Sequence, residues 1–174
     1  YVHDDGSVTP PIQEDETALV LFLFGQLYRS TNDQRLMKRF YEPMVVPMAD
    51  FLASYIDSST GLPKPSYDLW EEQYMTTTYT TAVVYAALSA AADLADDNHD
   101  DGHAVAWRAV ASDIAEAARK HLVNRDRDAL YKGLRRHTDG SYEPDQTIDL
   151  SSIYGAFMFG LFSADSDIVE RAVQ

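Results

Sequence analysis

Apolar residues recur at helical spacing through most of the chain. From Asp15 to Arg29, Leu19, Phe22, Leu23 and Leu27 fall at steps of three and four, the spacing of one helix face. This run is apolar nearly all round, as in a helix buried on several sides. A second helix is predicted from Asn32 to Ile56, with Asn32 as its cap and Pro43 and Pro47 breaking or kinking it. Ser58 to Pro65 reads as a loop. A third helix is predicted from about Thr76 to Asp96, with Val84, Leu88, Ala91 and Leu94 on one face and many alanines that permit close packing. After the loop Asp96 to Gly102 comes a fourth, from about His103 to Leu122. Residues 129–143, ALYKGLRRHTDGSYE, read as a short hairpin turning at Asp139-Gly140. A fifth helix covers Ile148 to Phe162 and a sixth starts near Asp165. Residues 1–13, with Asp5-Gly6 and Pro10-Pro11, read as extended and turn-like. The expectation is an all-α array of helical hairpins with one short β-hairpin in a loop. No repeat of fixed period marks a regular solenoid.

Composition narrows the function classes. The 174 residues, 45% of them hydrophobic, suffice for one folded domain. The formal net charge is −14, from 20 Asp and 8 Glu against 14 basic residues of which 4 are Lys. Such a surface repels phosphate backbones and anionic lipid, so nucleic acid and membrane are set aside as partners. An Asp-rich, Lys-poor surface suits salty solvent, where screening weakens like-charge repulsion, and points to a halophile. Cysteine is absent, which excludes disulfides and thiolate metal sites and fits a reducing, cytoplasmic setting. The longest apolar run, Ala18 to Gly25, is far too short to span a bilayer. The chain opens Tyr1-Val2-His3 with no signal peptide and closes inside a predicted helix, so both ends read as cut.

One stretch carries chemistry: Ser66 to Tyr74, SYDLWEEQY, which sets a tryptophan among three carboxylates behind Pro63 and Pro65. Asp68 followed by Glu71 fits a capping box at a helix start. The same helical turn would cluster Asp68, Glu71 and Glu72 at i, i+3 and i+4. Crowded carboxylates beside an indole raise one another's pKa, which suits a general acid. Tyr67 and Trp70 offer flat faces for sugar rings.

GLPKPSYDLWEEQY resembles the central signature of glycoside hydrolase family 15, the glucoamylases and their prokaryotic relatives. Upstream, PPIQEDETALVL is similar to the family segment in which a Gln, then an Asp two residues on, precedes an Ala-Leu that opens a helix. Downstream, TIDLSSIYGAFMFGLFSADS resembles a stretch of the prokaryotic members. The resemblance implies an (α/α)6 toroid and inverting hydrolysis of α-glucosidic bonds from non-reducing ends of an oligosaccharide or polysaccharide, without a cofactor. By matching position Glu71 would be the general acid. Asp68, Trp70, Glu72 and Tyr67 would line the sugar subsites, and Gln13 and Asp15 would lie near the pocket. An inverting enzyme also needs a base, roughly 6.5–9.5 Å from the acid. Neither Glu116, Glu143 nor Glu170 sits in the family's context for it, so the base is expected beyond Gln174, and the family's early Arg-Asp segment before Tyr1. Thr9 stands where fungal members have a Trp. Residues 1–174 are then a middle segment, about half of a toroid, of the catalytic domain. Its uncovered apolar helix faces would favour self-association, and the fragment alone would be inactive.

Other clusters have plainer readings. ADDNHDDGH, residues 95–103, alternates acids as a calcium loop does, but its Gly and its twelfth position, Trp107, are misplaced for one, so a solvated helix connection is expected and no metal. Arg135, Arg136 and His137 are either a solvated hairpin edge or a sugar contact. No phosphate loop, zinc motif or Ser-His-Asp order is present. A trehalase, an α-1,6-dextran hydrolase, a phosphorylase on a related barrel and a glycan-binding paralogue without a base remain as alternatives.

Overall fold

The computed structural model describes residues 12–163 and 166–172; the extended segment expected over residues 1–13 lies almost wholly outside them, as does the start of the sixth helix at Asp165. The helices are α1 (Glu14–Thr31), α2 (Gln34–Phe40), α3 (Val46–Ser54), α4 (Thr78–Asp97), α5 (Asp101–His121), α6 (Leu150–Met158) and α7 (Asp167–Ala172). The strands are β1 (Ser66–Tyr67), β2 (Tyr74–Thr77), β3 (Val123–Asn124), β4 (Ala129–Leu130), β5 (Gly133–Arg136) and β6 (Tyr142–Asp145). Among the described residues no helix is long and apolar enough to cross a membrane.

The helical periodicity holds, with corrections at the joints and on α1, which is not buried on several sides: Ala18, Leu21, Phe24 and Tyr28 are buried while Leu23 and Leu27 of the predicted face are exposed. Asn32 does not start the second helix. It closes α1 in a left-handed conformation (φ 48°), and Asp33 caps α2 by accepting from the Arg35 amide. Pro43 has no amide hydrogen to continue an α-helix, and the chain passes through a π-helical turn, Tyr41–Val45, before α3 resumes with Pro47 in its first turn. Thr76 and Thr77 belong to β2, and the Thr77 hydroxyl caps α4 by accepting from the Thr80 amide at 3.0 Å. Asp100 caps α5 and accepts from Tyr41 at 3.0 Å, so this acid of the 95–103 loop serves the helix connection.

α4 is the hub. Its alanine-rich surface is buried nearly all round, against α1, α5 and α6. Gly25 of α1 lies so close to Ala90 of α4 that a Cβ there would come within 2.9 Å. Of the hairpin expected over residues 129–143, the part from Gly133 onward is β5–β6, with Arg136 opposite Tyr142 and Gly140 in the turn at φ 85°, whereas Ala129 and Leu130 pair with β3 in a separate hairpin. The β5–β6 hairpin extends to Asp145 and joins a four-stranded antiparallel sheet of order β1-β2-β5-β6. β2 and β5 are separated by more than fifty residues of sequence, and this pairing docks the loops after α3 and α5 on the same side of the helices.

Gly133 permits that docking: a Cβ would lie 2.2 Å from the Thr76 carbonyl oxygen and 2.9 Å from Thr77 Cα, both backbone atoms. Gly133→Ala is therefore expected to lower stability by about 3 kcal/mol, the upper range for an overpacked site. Gly140→Ala, in open space but at positive φ, should cost about 1 kcal/mol. Urea midpoints compare the two; equal costs would mean that the strands part easily to admit the methyl group.

Candidate active site

The SYDLWEE segment is not a helical turn. Asp68 to Gln73 form the loop of a β-hairpin, closed by the Asp68 amide donating to the Gln73 carbonyl at 2.8 Å, with Tyr67 opposite Tyr74. Asp68 does cap, but it caps this loop: its Oδ1 accepts from the amides of Glu72 (2.8 Å) and Gln73 (3.1 Å). The Glu71 amide donates to the Asp68 carbonyl, and Glu71 takes a left-handed backbone at φ 56°. The expected crowd of three carboxylates on one turn is thus replaced by an arrangement in which Asp68 is buried while Glu71 and Glu72 are exposed.

Lys132 holds the buried end of the loop. Its ammonium lies 2.9 Å from Asp68 Oδ2 and 3.5 Å from Asp149 Oδ2, with Lys132 and both carboxylates nearly sealed from solvent. The Asp68 contact is an ion pair, since Oδ2 makes no hydrogen bond of good geometry. Burial pushes the Asp68 carboxyl up, but Lys132 and the two loop amides outweigh it and hold the group below its usual value. Burial likewise opposes ionisation of Asp149, and the Ser151 hydroxyl and amide together with Lys132 reverse it. Asp149 is the cap of α6. The Lys132 amide donates to Asp145 and its carbonyl accepts from the Thr78 amide that opens α4, both at 2.9 Å. One residue therefore joins the hairpin loop, the sheet and the starts of α4 and α6. The other end of the loop is fixed by Arg135, which donates to the Gln73 side chain and to Asp145. Between these anchors Leu69, Trp70, Glu71 and Glu72 project, with Trp70 58% exposed. Tyr67 packs edge to face on Tyr74.

The N-terminal turn of α1 approaches from the third side. Gln13 is half-buried at its cap position without a side-chain capping bond. Asp15 is buried, and its field reaches Tyr79 in the first turn of α4. Burial raises the Asp15 pKa, although the Glu16 amide and its own amide oppose this. Glu14, which the sequence left unremarked, is 1% exposed, and neither carboxyl oxygen has a hydrogen bond of good geometry. Burial pushes its pKa up to about 7, against the pull of its own amide and the misaligned Ser66 hydroxyl. The first turns of α1, α4 and α6 thus gather round the loop, each with the partial positive charge of a helix N-terminus. Lys132 and Glu14 were missed because helical periodicity marks buried apolar positions, not a buried ion. The only available signal was a lysine in a chain with four of them.

Two buried groups give opposite pH signatures. Lys132→Met should lower stability by about 3–5 kcal/mol at pH 7, because it strands two buried carboxylates. Asp68 and Asp149 are held low in the fold, so wild type loses their contribution as pH falls below the usual carboxylate range, and the deficit of the variant should shrink there. A deficit that is equal at pH 3 and pH 7 would reduce Lys132 to packing. Glu14 is held high, so its contribution falls as pH rises from about 4.5 to about 7. Relative to wild type, Glu14→Gln should therefore gain up to about 3 kcal/mol between pH 4 and pH 8. Parallel stability–pH curves would place a charged Glu14 in the fold.

Known proteins share this fold. A protein of Methanocaldococcus jannaschii described as an uncharacterized glycosyl hydrolase is 23% identical over 96% of this chain, which spans 25% of that relative's length. A glycosidase variant solved in complex with glucose superposes with a TM-score of 0.73 at 19% identity, covering 97% of this chain and 41% of its own. A bacterial glucoamylase solved with acarbose superposes with a TM-score of 0.70 at 19% identity, over 95% of this chain and 25% of its own. These likenesses establish the fold as part of a helical toroid with a small antiparallel sheet at its loops. The family model described as glycosyl hydrolases family 15 matches residues 3–167, nearly the whole of the chain, and the chain belongs to that family.

Proposed function

We propose that the protein carrying this chain cleaves α-glucosidic bonds at the non-reducing ends of glucans with inversion, and that Glu71 is the general acid. The observation that carries this reading is the anchored loop. Lys132 and Arg135 fix its two ends, so Trp70, Glu71 and Glu72 are presented on a rigid base at the meeting of three helix N-termini. Binding and catalytic residues are commonly held in this way, on a loop set by a rigid scaffold. In the assigned roles Glu71 protonates the leaving oxygen, Trp70 and Tyr67 pack the sugar ring, and Asp68 and Glu72 hold the hydroxyls or the loop that reaches them. Gln13 and Asp15 approach from α1. Residues 1–174 form a segment of the catalytic domain, and the base comes from a segment outside them. The exposed Val20, Leu23 and Leu27 of α1 and Leu150, Tyr154 and Phe157 of α6 suit neighbouring hairpins of the toroid, and would favour self-association of the isolated chain.

In the full-length protein, Glu71→Gln keeps the shape and removes the proton donor. Turnover on maltooligosaccharides should fall by about 10²–10⁴-fold with little change in melting temperature. A larger loss from Glu72→Gln would move the acid to that residue. Trehalose or dextran hydrolysed in preference would select those rivals on the same scaffold, and sugar binding without glucose release would select a glycan-binding paralogue.

A further inference from the structure

Beside the anchored loop runs a groove of about 530 Å³ that none of these roles uses. Its walls are Tyr55, Asp57 and Lys64 from the segment after α3, Tyr74 at the start of β2, and Arg136 and His137 at the tip of the β5–β6 hairpin. Its charge runs against the rest of the chain. In a molecule of net charge −14, the exposed Lys64 and Arg136 both face the groove, and neither makes an ion pair among the described residues. One anion shares the groove: Asp57 stays ionised, held well below its usual value, and its charge acts on Arg136, but its oxygens are taken up by other donors. Asp57 Oδ1 accepts from the Ser59 amide at 2.8 Å and hydroxyl at 2.5 Å, and Oδ2 accepts from the Tyr142 hydroxyl at 2.5 Å. Glu143 lies 3.2 Å from His137 Nε2. Lys64 and Arg136 therefore keep their own N–H donors free, set against the single charge of Asp57. The aromatic side of the groove is shaped for a ring: Tyr74 is 59% exposed and is propped edge-on by Tyr67 at 5.5 Å. Lys64 lies over the Tyr55 ring, 5.3 Å from its centroid, a placement that holds the ammonium by a cation–π contact while leaving its hydrogens outward.

We infer that this groove is a subsite for a saccharide unit bearing an anionic substituent, a phosphate ester or a uronate carboxylate, with the ring against Tyr74 and the anion between Lys64 and Arg136. Arg and Lys donors to a phosphate or carboxylate make charge-assisted hydrogen bonds, about twice as strong as neutral ones. Elsewhere the acidic surface repels anions, so the groove would also select the orientation in which a charged glucan approaches the loop. The sugar part of this inference rests on the carbohydrate reading above; the anion contact rests on the groove alone.

The test is equilibrium binding to the full-length protein at low ionic strength in the Glu71→Gln background. The probes are maltopentaose, maltopentaose carrying one 6-phosphate ester, maltopentaose oxidised to a glucuronate at one unit, and inorganic phosphate. At least one charged glucan should bind about tenfold more tightly than neutral maltopentaose, on the order of one charge-assisted contact. Arg136→Gln and Lys64→Gln should each remove most of that margin while leaving neutral binding unchanged, and Tyr74→Ala should weaken the charged glucan more than inorganic phosphate. The charged probe with the larger margin identifies the substituent. Equal binding of neutral and charged glucans, or a margin that survives both substitutions, overturns the inference. So does inorganic phosphate binding as tightly as the phosphorylated glucan with no effect of Tyr74→Ala. Glucose released from maltopentaose in this background would count against Glu71 as the acid and leaves the groove to be judged by its binding margins.

Discussion

A buried ammonium between two carboxylates organises the loop side of this molecule. Removing Lys132, Asp68 and Asp149 from water is costly, and the cost is offset only while all three stay in contact. That requirement ties the hairpin loop to the start of α6 through one side chain. The backbone of Lys132 then ties the same point to β6 and to the first turn of α4. A hydrophobic cluster tolerates sliding by a fraction of a residue, whereas this contact does not, since an ion that moves off its partner is left unpaired in a poor solvent. The residues that project from the loop inherit that fixity.

The helices were legible in the sequence because each is decided locally. Leu19, Phe22 and Leu23 mark α1, and the alanine-rich run from Thr78 marks α4, whatever the rest of the chain does. The joints were less legible, and each departure has a competing local rule behind it. Asn32 qualifies equally as a helix start and, through its tolerance of the left-handed conformation, as a helix end. The tight turn before Asp33 selected the second. At Asp68 the spacing of the acids fits a helical cap and a hairpin loop alike. The choice is made by β2 pairing with β5, contributed by residues far along the chain, and by the threonines at 76 and 77, whose branched side chains suit a strand. Periodicity does not report such distant pairings.

The candidate site was legible in a different sense. Its exposed members, Trp70, Glu71 and Glu72, stand out in the sequence as an unusual combination, while the residues that position them do not. Arg135 looked like part of a solvated basic edge and instead grips Gln73. Lys132 sits three residues before a basic pair and looked no different from it. Glu14 and Asp15 occupy a first turn, where acids are ordinarily solvated partners of the helix dipole; only packing against Ser66 and α4 makes them interior groups. Chemistry that meets solvent is visible as residue type, and the support beneath it is visible only as contact.

The backbone at Glu71 bears on how this sequence can change. A left-handed conformation costs a side chain with a Cβ roughly 1–2 kcal/mol, which glycine avoids and asparagine reduces. Selection for thermal stability alone would therefore draw position 71 toward either of those residues. A glutamate there is the choice that stability would remove first. With Glu71 in its proposed role, laboratory evolution of the full-length protein toward heat resistance would have to screen for glycan turnover at every round, or it would improve the scaffold by erasing the side chain at the tip of its loop.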